Sequence, residues 1–261
     1  MSRHFNSPER NSMPDLKAFI PMPDLFSFKS VLCVQPHPDD NEIGAGGTIA
    51  KLCQAGLHVT YLTVSQGKGG SNTLSSKALV EQRQTELKTS GQLLGVQTFY
   101  QLDLEDAHYP DEKELCQKMV EIIRNVKPEV VMSVDPYLLY EAHPTHRKTG
   151  MAVLEACLFA ALKHFPNPDQ ENSLAHHVQA VAFYGSAHPN TILDISSTFE
   201  LKLKAIQAHR SQFDEVSFGR LKQYLSLKAQ LFGQEKNVSY AEAFKVLPMV
   251  LTHMMVESET Y

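Results

Sequence analysis

The stretch VLCVQPHPDDNEIGAGGTIAKL, residues 31 to 52, joins a continuous apolar run to a polar segment and then to a run of small residues. The apolar run at 31–34 predicts a strand that is covered on both faces of a sheet. The spacing of apolar residues from 43 to 55 predicts a helix that ends at Gly56. His37, Asp39 and Asp40, which are costly to bury, therefore follow a buried strand directly.

Strand and helix patterns alternate along the rest of the chain. Further strands are predicted at 58–64, 98–102, 129–134, 180–184 and 191–195, and further helices at 77–94, 111–126, 145–163, 197–209 and 218–232. This alternation predicts an α/β fold with a mostly parallel sheet and helices on both faces. No linker divides the chain, so we expect an irregular arm at 1–27 and one domain at 28–261.

The bulk composition narrows the classes of partner and location. The chain has 261 residues, 43% of them apolar, and a net charge of −5. Without a basic patch, nucleic acid is not an expected partner, and a neutral or polar small substrate is favoured. The four cysteines form no C-x-x-C pair, which predicts free thiols. Residues 1–20 lack a signal-like apolar segment and no run reaches membrane length, so a soluble cytoplasmic protein is predicted.

Two polar loops are predicted to meet at one edge of the sheet. Ligands of open α/β sheets bind beyond the carboxyl ends of the strands, where the strand order reverses. In the common order 3-2-1-4-5, strands 1 and 4 are neighbours at that point. The first strand leads into QPHPDD, residues 35–40, and the fourth into DPYLLYEAHPTHR, residues 135–147. We therefore expect both loops to line one crevice.

The residues of these loops suit a catalytic metal site. His37, Asp40 and His146 would supply two imidazoles and one carboxylate, a set that suits zinc and leaves a fourth position for water. The alternative is a pair of loop histidines with an N-capping aspartate. Asp39 is predicted to be a general base or, alternatively, a solvated turn carboxylate. His143 is predicted to stabilise a developing oxyanion, or to be an ordinary loop histidine.

The run GAGGT, residues 44–48, does not match the dinucleotide-binding fingerprint. G-x-G-x-x-G requires a glycine three residues after Gly46, where the chain has Ile49. The acidic residue expected after the second strand is also missing. We therefore interpret the small residues as a means for the helix to approach the sheet closely.

The motifs PHPDDNEIGAGGT and HPTHR resemble the two signatures of the LmbE-like (PIG-L) zinc-dependent de-N-acetylases. These enzymes remove acetyl groups from N-acetylglucosaminyl compounds on a Rossmann-like fold, and the resemblance extends from about residue 29 to 255. The branch that acts on N,N′-diacetylchitobiose is the most similar, on the strength of ELKLKAIQAHRSQF at 200–213 and YAEAFKVLP at 240–248. The resemblance implies a Rossmann-like deacetylase domain at 28–261.

The resemblance also implies a role for each candidate residue. The three metal-type residues would bind Zn²⁺, Asp39 would be the general base, and His143 would stabilise the oxyanion or act as an acid. Arg83, in RQTE, and Asp106, in LEDAHYP, would contact the sugar. On the residues alone, Arg83 is predicted to lie on a helix surface and Asp106 in a turn.

Two positions depart from the family pattern, but the metal-type residues and the base are retained. Asn41 and Thr145 stand where the family usually has acidic residues. We expect zinc-dependent hydrolysis of the N-acetyl group of N,N′-diacetylchitobiose or N-acetylglucosamine, with release of acetate. Alternatives are a deacetylase for another N-acetylglucosaminyl conjugate, as in thiol biosynthesis, another metal hydrolase such as a phosphoesterase, or a sugar-binding relative that has lost activity.

The C-terminal stretch LPMVLTHMMV, residues 247–256, is apolar and rich in methionine. The segment before it is expected to be solvated and helical. On the residues alone, the stretch is a last strand or helix packed on its own domain. The resemblance implies instead a homo-oligomer, a hexamer built as a dimer of trimers, in which His253 reaches the active site of a neighbouring subunit. Met-rich surfaces adapt well to contacts between chains.

Overall fold

A seven-stranded sheet organises the part of the chain that the computed structural model describes, which is residues 16–105, 111–166 and 174–261. The strands are β1 (Ser30–Gln35), β2 (His58–Ser65), β3 (Thr98–Leu104), β4 (Val130–Val134), β5 (Ala180–Tyr184), β6 (Thr191–Asp194) and β7 (Ala241–Pro248). The helices are α1 (Leu16–Phe19), α2 (Asp40–Gln54), α3 (Ser76–Leu94), α4 (Glu112–Val126), α5 (Pro144–Ala160), α6 (Phe199–Gln207) and α7 (Glu215–Lys236). Short 3₁₀ turns lie at Leu25–Ser27, Met249–Thr252 and Val256–Glu259.

The strand order is β3-β2-β1-β4-β5-β7-β6. The first five strands pair in parallel, whereas β7 runs antiparallel between β5 and β6. The predicted order 3-2-1-4-5 is therefore confirmed, and β1 lies beside β4 with Val31 opposite Val130. The predicted mostly parallel α/β sheet is confirmed as well.

The central strand β1 is buried on both faces, as its continuous apolar pattern predicts. Val31 and Cys33 belong to the core that includes residues of α2 and α3. Leu32 and Val34 belong to the core that includes residues of α4 and α5. Side chains of a strand alternate between faces, so this single short run contributes to both cores. Helices cover both faces of the sheet, as expected.

One strand was not predicted. The solvated helical region expected before the C-terminal stretch is α7, and residues 241–248, which follow it, form the inner strand β7. Its Glu242 is buried and accepts a bond of 2.5 Å from the Lys202 ammonium, which is also buried. The other contacts of Glu242 are to the backbone N–H groups of Gly47 and Thr48, at 3.1 and 2.8 Å. Because these partners satisfy its carboxylate, Glu242 can lie inside the protein. In the sequence alone, a charged residue indicates a surface position.

The end of the N-terminal arm packs on the domain. Leu25 is 1% exposed and belongs to the core that includes β1. The boundary at residue 27 stays a prediction. All four cysteines are free, as predicted. No helix in the three described ranges combines the length and the apolarity that a membrane crossing requires.

The small residues of α2 allow the close approach that their sequence predicts. A Cβ atom on Gly44 would lie 2.2 Å from the ring of Tyr184, and one on Gly47 would lie 2.7 Å from Ile195. Real Cβ atoms do not come so close to other heavy atoms. Glycine at these two positions therefore sets the distance between α2 and the sheet, and with it the position of the loop that precedes α2.

We predict that Gly44→Ala lowers the free energy of unfolding by about 1–3 kcal/mol, because the added methyl group overpacks the contact with Tyr184. Urea denaturation measures this change. The matched control is Gly219→Ala on α7, where a Cβ atom meets no heavy atom within 4 Å. There we expect no loss, or a gain of about 0.5–1 kcal/mol from the higher helix propensity of alanine. Equal stability of both variants and the parent would contradict the prediction.

Candidate metal site and active-site cavity

The two polar loops meet at the carboxyl edge of the sheet, as the topology predicts. His37 follows β1 by two residues, and Asp40 is the first residue of α2. His146 lies in the first turn of α5, after the loop that leaves β4. The ring centroids of the two histidines are 5.2 Å apart, although the residues are 109 positions apart in sequence.

The donor atoms of these three residues form a triangle that fits one metal ion. His37 Nδ1 lies 3.3 Å from Asp40 Oδ2 and 3.3 Å from His146 Nε2, and His146 Nε2 lies 3.6 Å from Asp40 Oδ2. In a tetrahedral site with bonds of 2.0–2.1 Å, two ligand atoms are about 3.3–3.4 Å apart. The triangle therefore matches one face of such a tetrahedron, and the three residues could hold one metal ion.

Hydrogen bonds and nearby imidazoles keep Asp40 ionised. Burial alone would raise the pKa of its carboxyl group. The side chain and backbone N–H of His37 and the charge of His146 outweigh burial, and the pKa is lowered below its usual value. The backbone N–H of His37 donates to Asp40 Oδ2 at 2.9 Å. A carboxylate that stays deprotonated is the form that binds a metal ion.

Glu141 orients two histidines of the site, and the sequence analysis did not identify it. Its Oε2 lies 3.3 Å from His146 Nδ1, the ring nitrogen that faces away from the donor triangle. Its Oε1 accepts a bond of 2.7 Å from the backbone N–H of His143. A carboxylate behind a metal-binding histidine fixes the ring and its tautomer. An acidic residue five positions before His146, in the same loop, is the sequence signal that could have indicated this role.

Asp39 lies between the metal triangle and α3 in an unusual backbone conformation. Its φ angle is 144°, a value that residues with a side chain rarely adopt. The Gln35 side chain lies below it, where Oε1 accepts the backbone N–H groups of Asp39 at 3.5 Å and Asn41 at 3.0 Å. Strain of this kind persists where surrounding contacts hold it, and it clusters at functional sites.

The surroundings of Asp39 bring its titration close to neutral pH. Its pKa is raised to about 7, first by burial and then by the adjacent charge of Asp40. The positive charges of Arg83, His209 and His37 act in the opposite direction. A carboxyl group with a pKa near the working pH is well suited to accept and return a proton.

Arg83 is buried, so its interpretation as a helix-surface residue is wrong. The residue is 4% exposed and extends from α3 to the loop that follows β1. Its Nη2 lies 3.6 Å from Asp39 Oδ2 and donates to the carbonyl oxygen of Pro38 at 3.2 Å. Its Nη1 donates to the carbonyl oxygen of Gly67 at 3.2 Å. The guanidinium group thus holds Asp39 and two loops together.

His143 joins the histidine cluster from the solvent side. It is the N-cap residue of α5, and its ring centroid lies 4.6 Å from that of His37 and 4.9 Å from that of His146. Thr145, at the position where the family usually has an acidic residue, is fully buried.

The structure brings five predicted residues into one site: His37, Asp39, Asp40, His143 and His146.

Two predicted site residues, Asp106 and His253, are not part of this cluster. Asp106 is outside the described residues. Pro248, the last residue of β7, pairs with Ala180, the first residue of β5, so β7 leads the chain away from the edge that carries the metal triangle. His253 follows five residues later and is exposed.

A cavity of about 1040 Å³ opens above the metal triangle. His37 and Asp39 lie on its floor, and Glu141 and His143 on one wall. The opposite wall comes from α3, the glycine-rich loop after β2 and the turn between α6 and α7. A cavity of this volume can enclose a ligand of the size of a disaccharide.

Comparison with known proteins identifies the class of protein that this fold and site define. Residues 32–157 match the family described as GlcNAc-PI de-N-acetylase, PIG-L. A diacetylchitobiose deacetylase of Thermococcus kodakarensis is 39% identical over 229 residues, which cover 87% of this chain and 86% of that protein. The chain therefore belongs to the PIG-L family of de-N-acetylases.

Two further relatives support this assignment. The structure of N,N′-diacetylchitobiose deacetylase from Pyrococcus horikoshii, in complex with its inhibitor MPG, superimposes with a TM-score of 0.85 at 36% identity. That match covers 90% of this chain and 89% of the other. A probable N-acetyl-alpha-D-glucosaminyl L-malate deacetylase 2 of Bacillus cereus is 31% identical, over 70% of this chain and 84% of that protein.

We predict that Glu141→Gln weakens the binding of a divalent metal ion about 10- to 100-fold. The amide keeps the size of the side chain but is a poorer acceptor for the ring N–H of His146. Competition with a chromophoric chelator measures the affinity. Glu200→Gln on the exposed face of α6 is the matched control and should bind metal like the parent. An unchanged affinity in Glu141→Gln would show that His146 needs no such support.

Proposed function

We propose that the chain hydrolyses the N-acetyl group of an N-acetylglucosaminyl compound, with N,N′-diacetylchitobiose or N-acetylglucosamine as substrate, and releases acetate. The observation that carries this proposal is the position of Asp39 directly beside the donor triangle, at the floor of a cavity that admits a sugar. Family membership supports the reaction, and the likeness to two diacetylchitobiose deacetylases supports the substrate.

The metal in this proposal is Zn²⁺. Two imidazole nitrogens and one carboxylate oxygen, at the edge lengths given above, suit this ion and leave one position of a tetrahedron open toward the cavity. When bound, Zn²⁺ supplies a Lewis acid that polarises the acetamide carbonyl and lowers the pKa of water. The ligands in the proposal are His37, Asp40 and His146.

Asp39 is the general base of the proposed reaction. Its carboxylate would accept a proton from the attacking water and would later return it to the departing amine nitrogen. Arg83 favours the ionised form of this carboxylate and restricts its position through the contact at 3.6 Å. The products are acetate and a free amino sugar.

The remaining roles concern charge and orientation of the substrate. His143, on the cavity wall beside His37, would donate a hydrogen bond to the developing oxyanion or protonate the amine. One well-placed donor of this kind contributes about 3–4 kcal/mol of transition-state stabilisation. Arg83 and Asp106 would contact the sugar.

Measurements of acetate release and of sugar binding distinguish two other functions. Acetate release from a malate conjugate of N-acetylglucosamine, in preference to the disaccharide, would favour a thiol-biosynthesis deacetylase. Sugar binding without acetate release would favour a binding protein that has lost activity. The metal donors and Asp39 are in place, which favours a catalyst over a binding protein. The higher identity to a diacetylchitobiose deacetylase, 39% against 31% for the malate-conjugate deacetylase, favours the disaccharide.

We predict that the zinc-loaded parent releases acetate from N,N′-diacetylchitobiose and that Asp39→Asn lowers kcat about 10²- to 10⁴-fold. Asparagine has nearly the same shape but cannot accept the proton. Enzymatic detection of acetate gives the rate, and atomic absorption gives the zinc content, which should stay at one per chain. Activity of Asp39→Asn within a few-fold of the parent would remove Asp39 from this role.

We also propose a cytoplasmic hexamer, a dimer of trimers, in which His253 lines the cavity of a neighbouring subunit. The four free thiols are consistent with a reducing compartment. Two exposed apolar groups support assembly. One is Tyr137, Leu139 and Tyr140, on the loop that carries Glu141 and His143, and the other is Met254, Met255 and Val256, beside His253.

We predict that the protein is hexameric in light scattering at micromolar concentration and that His253→Ala raises KM for the disaccharide about fivefold, with zinc content unchanged. The loss corresponds to one hydrogen bond between the imidazole and the sugar. His188→Ala, at an exposed histidine after β5, is the matched control and should keep the parental KM. A monomer with full activity would exclude the shared site.

A further inference from the structure

The turn between α6 and α7 brings one polar side chain, that of Gln212, to the cavity wall. The backbone N–H of Gln212 donates to the carbonyl oxygen of His209 at 3.0 Å. His209 is fully buried and lies 3.7 Å from the carboxylate of Glu42, which is also fully buried. The turn is therefore anchored in the protein interior by the buried His209.

A second anchor orients the Gln212 side chain. Glu86 of α3 accepts bonds from the backbone N–H and the hydroxyl group of Ser211, at 2.9 and 2.5 Å. Gln82, one helical turn earlier, donates to the same carboxylate at 2.8 Å. The Ser211 hydroxyl oxygen in turn accepts a bond of 3.3 Å from Gln212 Nε2. Because the amide nitrogen is held on this side, the amide oxygen faces the glycine-rich loop.

Arg83 and Gln212 both approach residue 70 closely because it is glycine, and the space that they border on the cavity wall is called the gap. A Cβ atom on Gly70 would lie 3.0 Å from Arg83 Nη1 and 3.2 Å from Gln212 Oε1. A hydrogen-bond donor and an acceptor therefore lie close to Gly70, and all three residues line the cavity. The chemistry of the gap suits a hydroxyl group, which can accept from the guanidinium and donate to the amide oxygen.

The gap is adjacent to the reaction centre. Arg83 Nη1 borders the gap, while Nη2 of the same planar guanidinium lies 3.6 Å from Asp39 Oδ2. A sugar whose acetamide faces Asp39 therefore has its own ring hydroxyl groups within reach of the gap. The positive charge of Arg83 is paired with Asp39, and the amide is neutral, so the gap favours an uncharged group over an anionic one.

We propose that the gap between Arg83, Gly70 and Gln212 binds a hydroxyl group of the sugar ring whose acetamide is hydrolysed, and that Gln212 is a specificity-determining residue. This inference rests on the proposed deacetylase function and extends it to recognition of the sugar ring. Ser211 is a positioning residue, since it holds the amide of Gln212 and does not line the cavity. The glycine at position 70 keeps the gap open.

Two variants test the gap by different means. Gln212→Leu removes the acceptor, and Gly70→Ala narrows the gap and keeps the amide, with Arg83 and Gln212 displaced by a few tenths of an ångström. Each should raise KM for N-acetylglucosamine and for N,N′-diacetylchitobiose about 3- to 10-fold with zinc content unchanged. Gln212→Leu should also keep the parental kcat, as expected when a uniform binding contact is lost. The matched controls are Gln207→Leu, at an exposed position of α6, and Gly219→Ala on α7, and both should keep the parental KM.

Ser211→Ala tests the positioning role. In the parent it should raise KM about threefold, because the amide of Gln212 loses its partner. In the Gln212→Leu background it should cause no further rise, since the two residues act as one unit. Additive effects in this double-mutant cycle would show that Ser211 acts on something other than Gln212.

The outcomes separate this inference from the proposed function. Parental KM values in both Gln212→Leu and Gly70→Ala, in protein that releases acetate, would overturn the inference and leave the function intact. A rise confined to the disaccharide would overturn the assignment to the ring whose acetamide is hydrolysed. If the zinc-loaded parent releases no acetate, the function fails, and calorimetry of disaccharide binding decides: weaker binding by Gln212→Leu retains the gap as a hydroxyl site, and equal binding excludes it.

Discussion

Residues 31–33 of β1 lie opposite residues 130–132 of β4, and this parallel pairing determines which loops can share a site. Both strands end at the same edge of the sheet, so the loop after β1 supplies His37 and Asp40 and the loop after β4 leads to His146. A change of register by one residue would turn buried side chains of either strand toward the wrong face and would separate the donor atoms. The metal site therefore depends on the buried apolar pattern of two short strands.

The second constraint is electrostatic. Asp39 and Asp40 are adjacent, and Asp39 is 8% exposed, so the site concentrates negative charge where water screens it poorly. Arg83 opposes this charge from one side and the histidines oppose it from the other. A bound divalent cation would complete the balance. The pKa of Asp39 is raised first by burial and then by the charge of Asp40, so a carboxylate of the donor triangle also acts on the proposed base.

Buried charged residues away from the metal triangle shape the cavity walls and the sheet. Glu86 holds the turn that carries Gln212, and Glu242 ties β7 to α2 and to Lys202. Each carboxylate has at least two hydrogen-bond donors, which is the condition under which burial of a charge is tolerated. The reaction class follows from the floor of the cavity, whereas the position of Gln212 on its wall depends on the buried carboxylate of Glu86.

By itself, the sequence determined the strand and helix alternation, the mostly parallel sheet and the meeting of the two polar loops, because local periodicity and the rules of α/β topology suffice for these. It also indicated the metal triangle, since donor residues at two neighbouring strand ends must lie close together. Only the tertiary structure decided the burial of Arg83, the inner position of β7 and the support from Glu141. The local sequence gives the charge of a residue but does not identify its partner. Lys202, the cationic partner of Glu242, is 40 positions away in the chain. Whether a charged residue lies inside or outside depends on such distant partners, and those exist only after the chain has folded.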